Sequence, residues 1–382
     1  MTEVRLAARV GVLAPSGLFG LLREGRRGGV LDLALGVPGA PPTPPLLIES
    51  ACAALREGVN QYGVPDGNLA LRERIAAALP GPTDPLTELT LTVGSSEGLT
   101  AAVLATVEPG DEVIVFEPFY ENFFSAIALA GGVPRLVETH PPDWRHDLST
   151  LRAAFGPRTR AMVVCTPDNP TGRVLTRREF DEIATLCARW NVVLISDEIY
   201  AGYLHQGHRH VSAADVPSLG GRAIVLGSLS KSHAISGWRI GYVRAPGELT
   251  RAVRKVHEAI CSGGAAPLQE AVARAAAADA RFLSPSEDLG EQRETTLRIF
   301  DELGFRCLPP EGGCYTMADI RHFTDEDGET LAYRMVREAG VMVAPGAYFY
   351  AERARGSGLV RIAFNRRLTL LSEAEQRLSM YR

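Results

Sequence analysis

Lysine is scarce in this chain. Of 40 lysines and arginines, two are lysines, Lys231 and Lys255. A coding preference for arginine accounts for the imbalance, but the consequence is chemical: a reaction that needs an amine nucleophile has two side chains to choose from. Paired cysteines are also lacking. Cys52, Cys165, Cys187, Cys261, Cys307 and Cys314 are scattered and none forms a C-x-x-C pair. A chain of 382 residues does not need disulfides to fold, and Met1-Thr2-Glu3-Val4-Arg5 does not open an export signal, so reduced thiols in a cytoplasmic setting are expected. No apolar run approaches the roughly 18–20 residues of a membrane span. No basic block is present and the net charge is −5, which argues against a nucleic-acid partner. The G-x-x-x-x-G-K-S/T phosphate loop, the G-x-S-x-G nucleophile elbow and the H-E-x-x-H zinc motif are all missing. What remains is 46% hydrophobic and 22% charged, an ordinary composition for a soluble globular protein of two domains sharing a large core.

Residues 1–37 form a mixed N-terminal segment. Pro38 to Pro45 carries five prolines in eight residues and reads as an extended strap, with a helix beginning near Leu46. From about residue 88 to 245, short β-rich runs alternate with helical patterns. The runs are Leu89–Val93, Glu112–Phe116, Ala161–Cys165, Val192–Asp197, Ala223–Gly227 and Gly241–Val243. Continuous apolar strands alternating with helices predict a buried, mostly parallel α/β sheet. Beyond Glu248–Ala259 the helices lengthen and the strands shorten. The expected division is 1–45 as an N-terminal arm and part of a small domain, 46–270 as a large domain, and 271–382 as a small C-terminal domain.

Ligands on such sheets bind beyond the strand ends, so the polar residues there carry the interest. Four clusters qualify. Gly94-Ser95-Ser96-Glu97 follows a strand and opens a helix, an anion site or a plain Gly-Ser turn. Thr166-Pro167-Asp168-Asn169-Pro170-Thr171-Gly172 makes a turn by itself. Asp197 ends a buried strand, where a carboxylate is costly unless paired, and Tyr200 follows it. Ser228-Leu229-Ser230-Lys231-Ser232 runs toward Gly237-Trp238-Arg239-Ile240-Gly241. There a lysine of lowered pKa can be a nucleophile, and hydroxyls with an arginine suit a phosphate. Each cluster alone is also compatible with an ordinary turn, cap or solvated loop.

Together, in this order, they resemble the class I/II aminotransferases, fold type I pyridoxal-phosphate enzymes. The matching motifs are Val93-Gly94-Ser95-Ser96, Glu117-Pro118-Phe119-Tyr120, Asn169-Pro170-Thr171-Gly172, Asp197-Glu198-Ile199-Tyr200, Ser228-Leu229-Ser230-Lys231 and Gly237-Trp238-Arg239-Ile240-Gly241, and the likeness extends over about residues 30–365. It implies a large domain with a mostly parallel seven-stranded sheet between helices and a smaller α+β domain. It also implies pyridoxal 5'-phosphate as cofactor, an amino acid and a 2-oxo acid as substrates, and a homodimer with shared active sites. Lys231 would hold the cofactor aldehyde as an aldimine and carry the substrate α-proton. Asp197 would pair with the pyridinium nitrogen, Tyr200 and Asn169 would bond the phenolic oxygen, and Tyr120 would stack on the ring. Ser95, Ser96, Ser228, Ser230 and Arg239 would bind the phosphate. Arg361 and the backbone at Gly36 would hold the substrate carboxylate, together with Asn169. Tyr62 would reach the neighbouring subunit's phosphate. Phe116–Phe123 and Lys255–Gln269 look most similar to the kynurenine/glutamine/methionine-type branch.

The pattern departs from that family in places. Thr166 stands where many relatives have Asn, and Ser232-His233 replaces Thr and an aromatic after the lysine. His233 is either a packing variant or a group that alters proton traffic. His205-Gln206-Gly207-His208-Arg209-His210 looks like a metal loop but contains no Cys or acid, and is expected to be a solvated connection. Leu18-Phe19 either covers an apolar substrate or packs the arm on its own core. A lyase, synthase or oxidase of the same fold shares the whole residue set. A non-catalytic regulator with an aminotransferase-like domain would carry a DNA-binding domain ahead of it, and the resemblance already begins near residue 30.

Overall fold

The computed structural model describes residues 4–13, 17–25, 28–39, 42–205, 207–279, 282–283 and 288–381. Its centre is a sheet whose strands are β1 (Leu89–Val93), β2 (Glu112–Glu117), β3 (Val133–His140), β4 (Arg145–His146), β5 (Thr159–Cys165), β6 (Val193–Asp197), β7 (Ala223–Ser228) and β8 (Ile240–Arg244). They lie in the order β1-β8-β7-β6-β5-β2-β3-β4. From β7 to β3 every neighbour is parallel. β8 runs antiparallel between β7 and β1, and the two-residue β4 closes the far edge. Seven strands of at least five residues match the expected sheet, and β4 adds a short eighth.

The continuous apolar runs are explained by burial on both faces. In β2, Val113 and Val115 pack in one cluster with Leu99 and Val103 of helix α1 (Gly94–Thr106) and Ile127 of α2 (Glu121–Ala130). Ile114, pointing the other way, packs with Phe180 and Ile183 of α3 (Arg177–Trp190). Local signals set the ends of α3. Thr176 and Glu179 form a reciprocal capping box, and Asn191 ends the helix in the left-handed region at φ 55°.

β3 was not expected from the sequence. Its side chains alternate between solvent and interior, and Pro134 sits near its start. Both are tolerated near a sheet edge and neither resembles a buried strand. The helix begins at Pro45 as anticipated, while Ala40 and Pro41 of the proline strap lie outside the described residues.

A second sheet, β9 (Arg306–Leu308), β10 (Tyr315–Asp319), β11 (Ala344–Pro345) and β12 (Leu359–Ala363), is antiparallel in the order β9-β10-β12-β11. The N-terminal segment belongs with it. Leu31–Asp32 pairs with Val341–Met342, and Leu18, Leu21 and Leu33 share a core with Phe300, Leu331 and Ile362. Helix Ala266–Ala278 instead packs on the large sheet's side, with Val272 in one cluster with Leu47, Leu71 and Leu91.

Candidate active site

The parallel strands β5, β6 and β7 end on one side of the sheet, at Cys165, Asp197 and Ser228. A cavity of about 400 Å³ opens there. Of the residues singled out in the sequence, Gly36, Ser95, Ser96, Tyr120, Asn169 and Asp197 line it. Tyr200, Ser228, Ser230, Lys231, Arg239 and Arg361 line it as well. Residues more than 300 positions apart therefore meet in one pocket. Tyr62 does not join them: it is 95% exposed on the surface of this chain.

The floor is built by close backbone approach. β1 passes straight into α1 at Gly94, which has φ +73°, and a Cβ there would fall 2.1 Å from Arg239 Nη2. A Cβ at Gly241 would fall 2.6 Å from the Gly94 carbonyl carbon. Both positions therefore require glycine, and together they bring the first turn of α1, with Ser95 and Ser96, against the start of β8. Arg239 holds a left-handed φ of 55° and donates to the Ser236 carbonyl at 2.9 Å. Across the turn, the Ser230 N–H donates to Ser228 Oγ at 3.0 Å. Serine hydroxyls, the N-terminal amides of α1 and a guanidinium thus converge on one end of the cavity.

Lys231 donates from Nζ to the Gly36 carbonyl at 3.1 Å. Burial, with Arg361 and Arg239 nearby, lowers its pKa, which makes the nucleophilic neutral amine easier to reach. Asp197 is 4% exposed, and its Oδ1 accepts one N–H, from Ile199, at 3.3 Å. Burial and the nearby carboxylates of Glu198 and Asp168 push it up to about 7. Tyr120 sits at the start of α2, and burial with Glu121 and Asp197 nearby pushes its hydroxyl up to about 12. Its hydroxyl accepts from Asn122 Nδ2 at 2.8 Å.

Arg361 is an interior group. It is 1% exposed. Its Nη1 donates to Asn169 Oδ1 at 2.6 Å and its Nη2 to the Ala34 carbonyl at 2.5 Å. The guanidinium stacks 3.9 Å from the Tyr315 ring centre and 4.5 Å from that of Phe349, while Nε has no partner. A buried cation with an unused donor is ready for an anion.

Tyr315 escaped the reading of the sequence. Its hydroxyl lies 3.2 Å from that of Tyr200, and a Cβ at Gly36 would fall 1.9 Å from it. Gly36 is therefore glycine to admit Tyr315. Asn122 and Cys165 also line the cavity and were not singled out.

His233 points away. Its Nδ1 contacts Ser232 Oγ and its Nε2 the Phe282 carbonyl, each at 2.8 Å, and burial lowers its pKa. This geometry supports packing over proton traffic. The histidine loop is less solvated than expected: His205 is buried against the Gly313 carbonyl at 3.0 Å, and His210 bonds Glu198 at 2.9 Å. His208 is exposed, and Gln206 lies outside the described residues. Leu18 both lines the cavity and packs in the small-sheet core. Nothing is described of the Phe19 side chain.

An α/β fold whose sheet is covered by helices on both faces, with an amine, a buried carboxylate and an anion cradle at the strand ends, is the architecture of a fold type I enzyme. Residues 30–378 match the model of the family "Aminotransferase class I and II", and the chain belongs to that family. It is 34% identical over 369 residues to a probable N-succinyldiaminopimelate aminotransferase of Mycobacterium tuberculosis, covering 92% of each chain. It is 32% identical over 342 residues to the methionine aminotransferase of Escherichia coli, covering 88% of each. The solved structure of N-succinyldiaminopimelate aminotransferase from Mycobacterium tuberculosis superposes with a TM-score of 0.93 at 32% identity, covering 99% of this chain and 100% of that one. The protein is a pyridoxal-phosphate-dependent aminotransferase acting on amino and 2-oxo acids. Among the described residues, no helix is long and apolar enough to cross a membrane.

The cavity fits that cofactor on its own chemistry. A buried carboxylate bearing a single weak N–H contact suits a cationic ring N–H, and Gly94 keeps clear the space an anion needs beside Arg239.

Proposed function

We propose that Lys231 carries the cofactor and that the substrate carboxylate is held by Arg361. When bound, pyridoxal phosphate supplies an aldehyde that amines condense with and a protonated pyridine that accepts electrons. The chain's residues do the rest. Ser95, Ser96, Ser228, Ser230 and Arg239 hold the phosphate. Asp197 keeps the ring nitrogen protonated, Tyr200 and Asn169 bond the phenolic oxygen, and Tyr120 covers the ring face. Arg361, Asn169 and the Gly36 backbone orient the amino acid so that its α-hydrogen faces Lys231. Lys231, whose pKa burial lowers, then takes the proton from the substrate α-carbon. The observation that carries this reading is the meeting of Lys231, Asp197 and Arg361 in one cavity.

Arg361→Ala tests the substrate end. Truncating one partner of a charged, bidentate pair in a partly dry site costs on the order of 2–5 kcal/mol, a loss of about 30-fold or more in kcat/KM. Cofactor affinity should stay unchanged. Arg361→Lys, which keeps the charge but not the fork, should recover little. Loss of cofactor ahead of substrate would contradict the placement.

The assembly in this proposal is a homodimer with shared sites. Tyr62 is 95% exposed, and Ile48, Leu55 and Val64 are exposed on the same stretch of chain, an apolar surface that a second copy would cover. Lys231→Ala and Tyr62→Ala chains, each impaired alone, should regain activity when unfolded together and refolded as a mixture. One site of the mixed dimer then combines an intact Lys231 with an intact Tyr62. Loss of one phosphate hydrogen bond costs about 1.5–3 kcal/mol, enough to measure the single defect. An impaired Tyr62→Ala that mixing does not rescue would count against the shared site.

The domain division in this proposal is 1–45 as arm and part of the small domain, 46–270 as the large domain and 271–382 as the small domain. The packing of helix Ala266–Ala278 argues for carrying the large domain, 46–270, on to the end of that helix. A cytoplasmic location is supported by six free cysteines, four of them buried.

A further inference from the structure

We propose that Glu97, His257 and Cys261 form a zinc site beside the phosphate-binding turn. His257 and Cys261 lie four residues apart in the last turns of helix α4 (Gly247–Cys261), so they share one face. Glu97 comes from the first turn of α1. One ligand atom from each of the three lies within 4.8 Å of the other two. His257 Nδ1 is 3.0 Å from Glu97 Oε2 and 3.4 Å from Cys261 Sγ. Tetrahedral zinc with bonds of about 2.0–2.1 Å to N and O and about 2.3 Å to S would set such donors about 3.3–3.6 Å apart, within a few tenths of an ångström of these spacings.

Three further observations point to a cation. His257 Nε2 faces the Pro65 carbonyl at 2.9 Å. A proton on Nε2 serves that contact and leaves Nδ1 facing Glu97 and Cys261, where zinc would take the place of the proton that joins Nδ1 to Glu97 in the metal-free protein; a metal-bound histidine is braced by a carbonyl in the same way. Glu97 Oε1 is buried without a partner, although Oε2 also accepts the Val93 N–H at 3.1 Å. The donor set of one imidazole, one carboxylate and one thiol suits zinc in softness. On binding, the Cys261 thiol proton leaves to solvent, and the resulting thiolate and the Glu97 carboxylate balance the 2+ charge of the ion. Cys261 is only half-buried, which leaves a path for the ion and for a water in the fourth position.

The position gives the ion a structural task. Val93, bonded by Glu97, immediately precedes Gly94 and the Ser95-Ser96 turn, and Pro65 lies three residues from Tyr62. Zinc would tie the cofactor-facing turn of α1, the end of α4 and the surface loop into one unit.

The experiment is made on untagged holoenzyme, dialysed against a chelator, re-equilibrated with zinc sulfate and desalted. Elemental analysis should find one zinc per chain. Cys261→Ala and Glu97→Gln should fall to background, and Cys52→Ala, which alters an exposed thiol elsewhere, should keep the full equivalent. X-ray absorption at the zinc edge should show one sulfur with nitrogen and oxygen neighbours. Wild-type protein without zinc would mean that a proton alone joins Glu97 to His257, and overturns the proposal. Equal zinc in wild type and in both variants places the metal elsewhere and overturns it too.

Discussion

Lys231→Ala is expected to abolish turnover and the visible absorbance of the lysine-bound cofactor, while Lys255→Ala keeps both. The two lysines differ in surroundings. Lys231 is in the cavity, with its pKa lowered by burial, whereas Lys255 is exposed on α4. Loss of the proton-transfer role alone costs on the order of 10²–10⁴-fold. Losing the covalent hold on the cofactor adds to that. Borohydride fixation followed by peptide mapping locates the bond. Because the cavity otherwise stays intact, a small primary amine added to Lys231→Ala should restore part of the rate by occupying the space of the side chain. A cofactor fixed to Lys255, or a Lys231→Ala enzyme of normal rate, would overturn the assignment.

How much of this could be read in advance depended on how many faces of an element are buried. β2, β5, β6 and β7 are apolar on both faces, so Val113, Ile114 and Val115 announce a strand whatever their neighbours are. β3 alternates and opens near a proline, and only its pairing with β2 shows it to be a strand. The polar clusters were legible as candidates because parallel sheets bind ligands beyond their strand ends. Their roles were not, since Asp197 or Ser230 alone could cap a helix or bond a turn. Arg361 shows the limit most clearly. In Val360-Arg361-Ile362 the residue looks like a surface strand arginine. It is interior because β12 is covered by β10 and β11 on both edges, and by Tyr315 and Phe349 over the guanidinium. Tyr315 could not be separated from an ordinary core tyrosine until the approach to Gly36 was seen.

Asp197→Asn is expected to act in opposite directions on catalysis and on the stability of the cofactor-free protein. For catalysis, the neutral amide no longer holds the pyridine nitrogen protonated, and the ring becomes a poorer electron acceptor. Removing one preorganised electrostatic partner of this kind costs on the order of 10²–10³-fold in kcat. For stability, the sign follows from the raised pKa. The carboxyl titrates at about 7 in the folded cofactor-free pocket, because of burial and the charges of Glu198 and Asp168, against an ordinary value of 3.8. Between those values the folded state holds a proton that the unfolded state has lost. Stability therefore falls as pH rises from about 4, and the loss is complete above pH 7. The full penalty is on the order of 4 kcal/mol, from a shift of about three units at 1.36 kcal/mol each. Asparagine carries no such charge. Cofactor-free Asp197→Asn should thus melt above cofactor-free wild type at pH 8, and the gap should close toward pH 4. Cofactor should narrow the gap at pH 8 as well, because a cationic ring nitrogen compensates the wild-type carboxylate and leaves the amide unmatched. Melting curves of both proteins, with and without pyridoxal phosphate, check all three. A wild type as stable as the variant at pH 8 without cofactor would show that Asp197 is not held at a cost for the ring it faces.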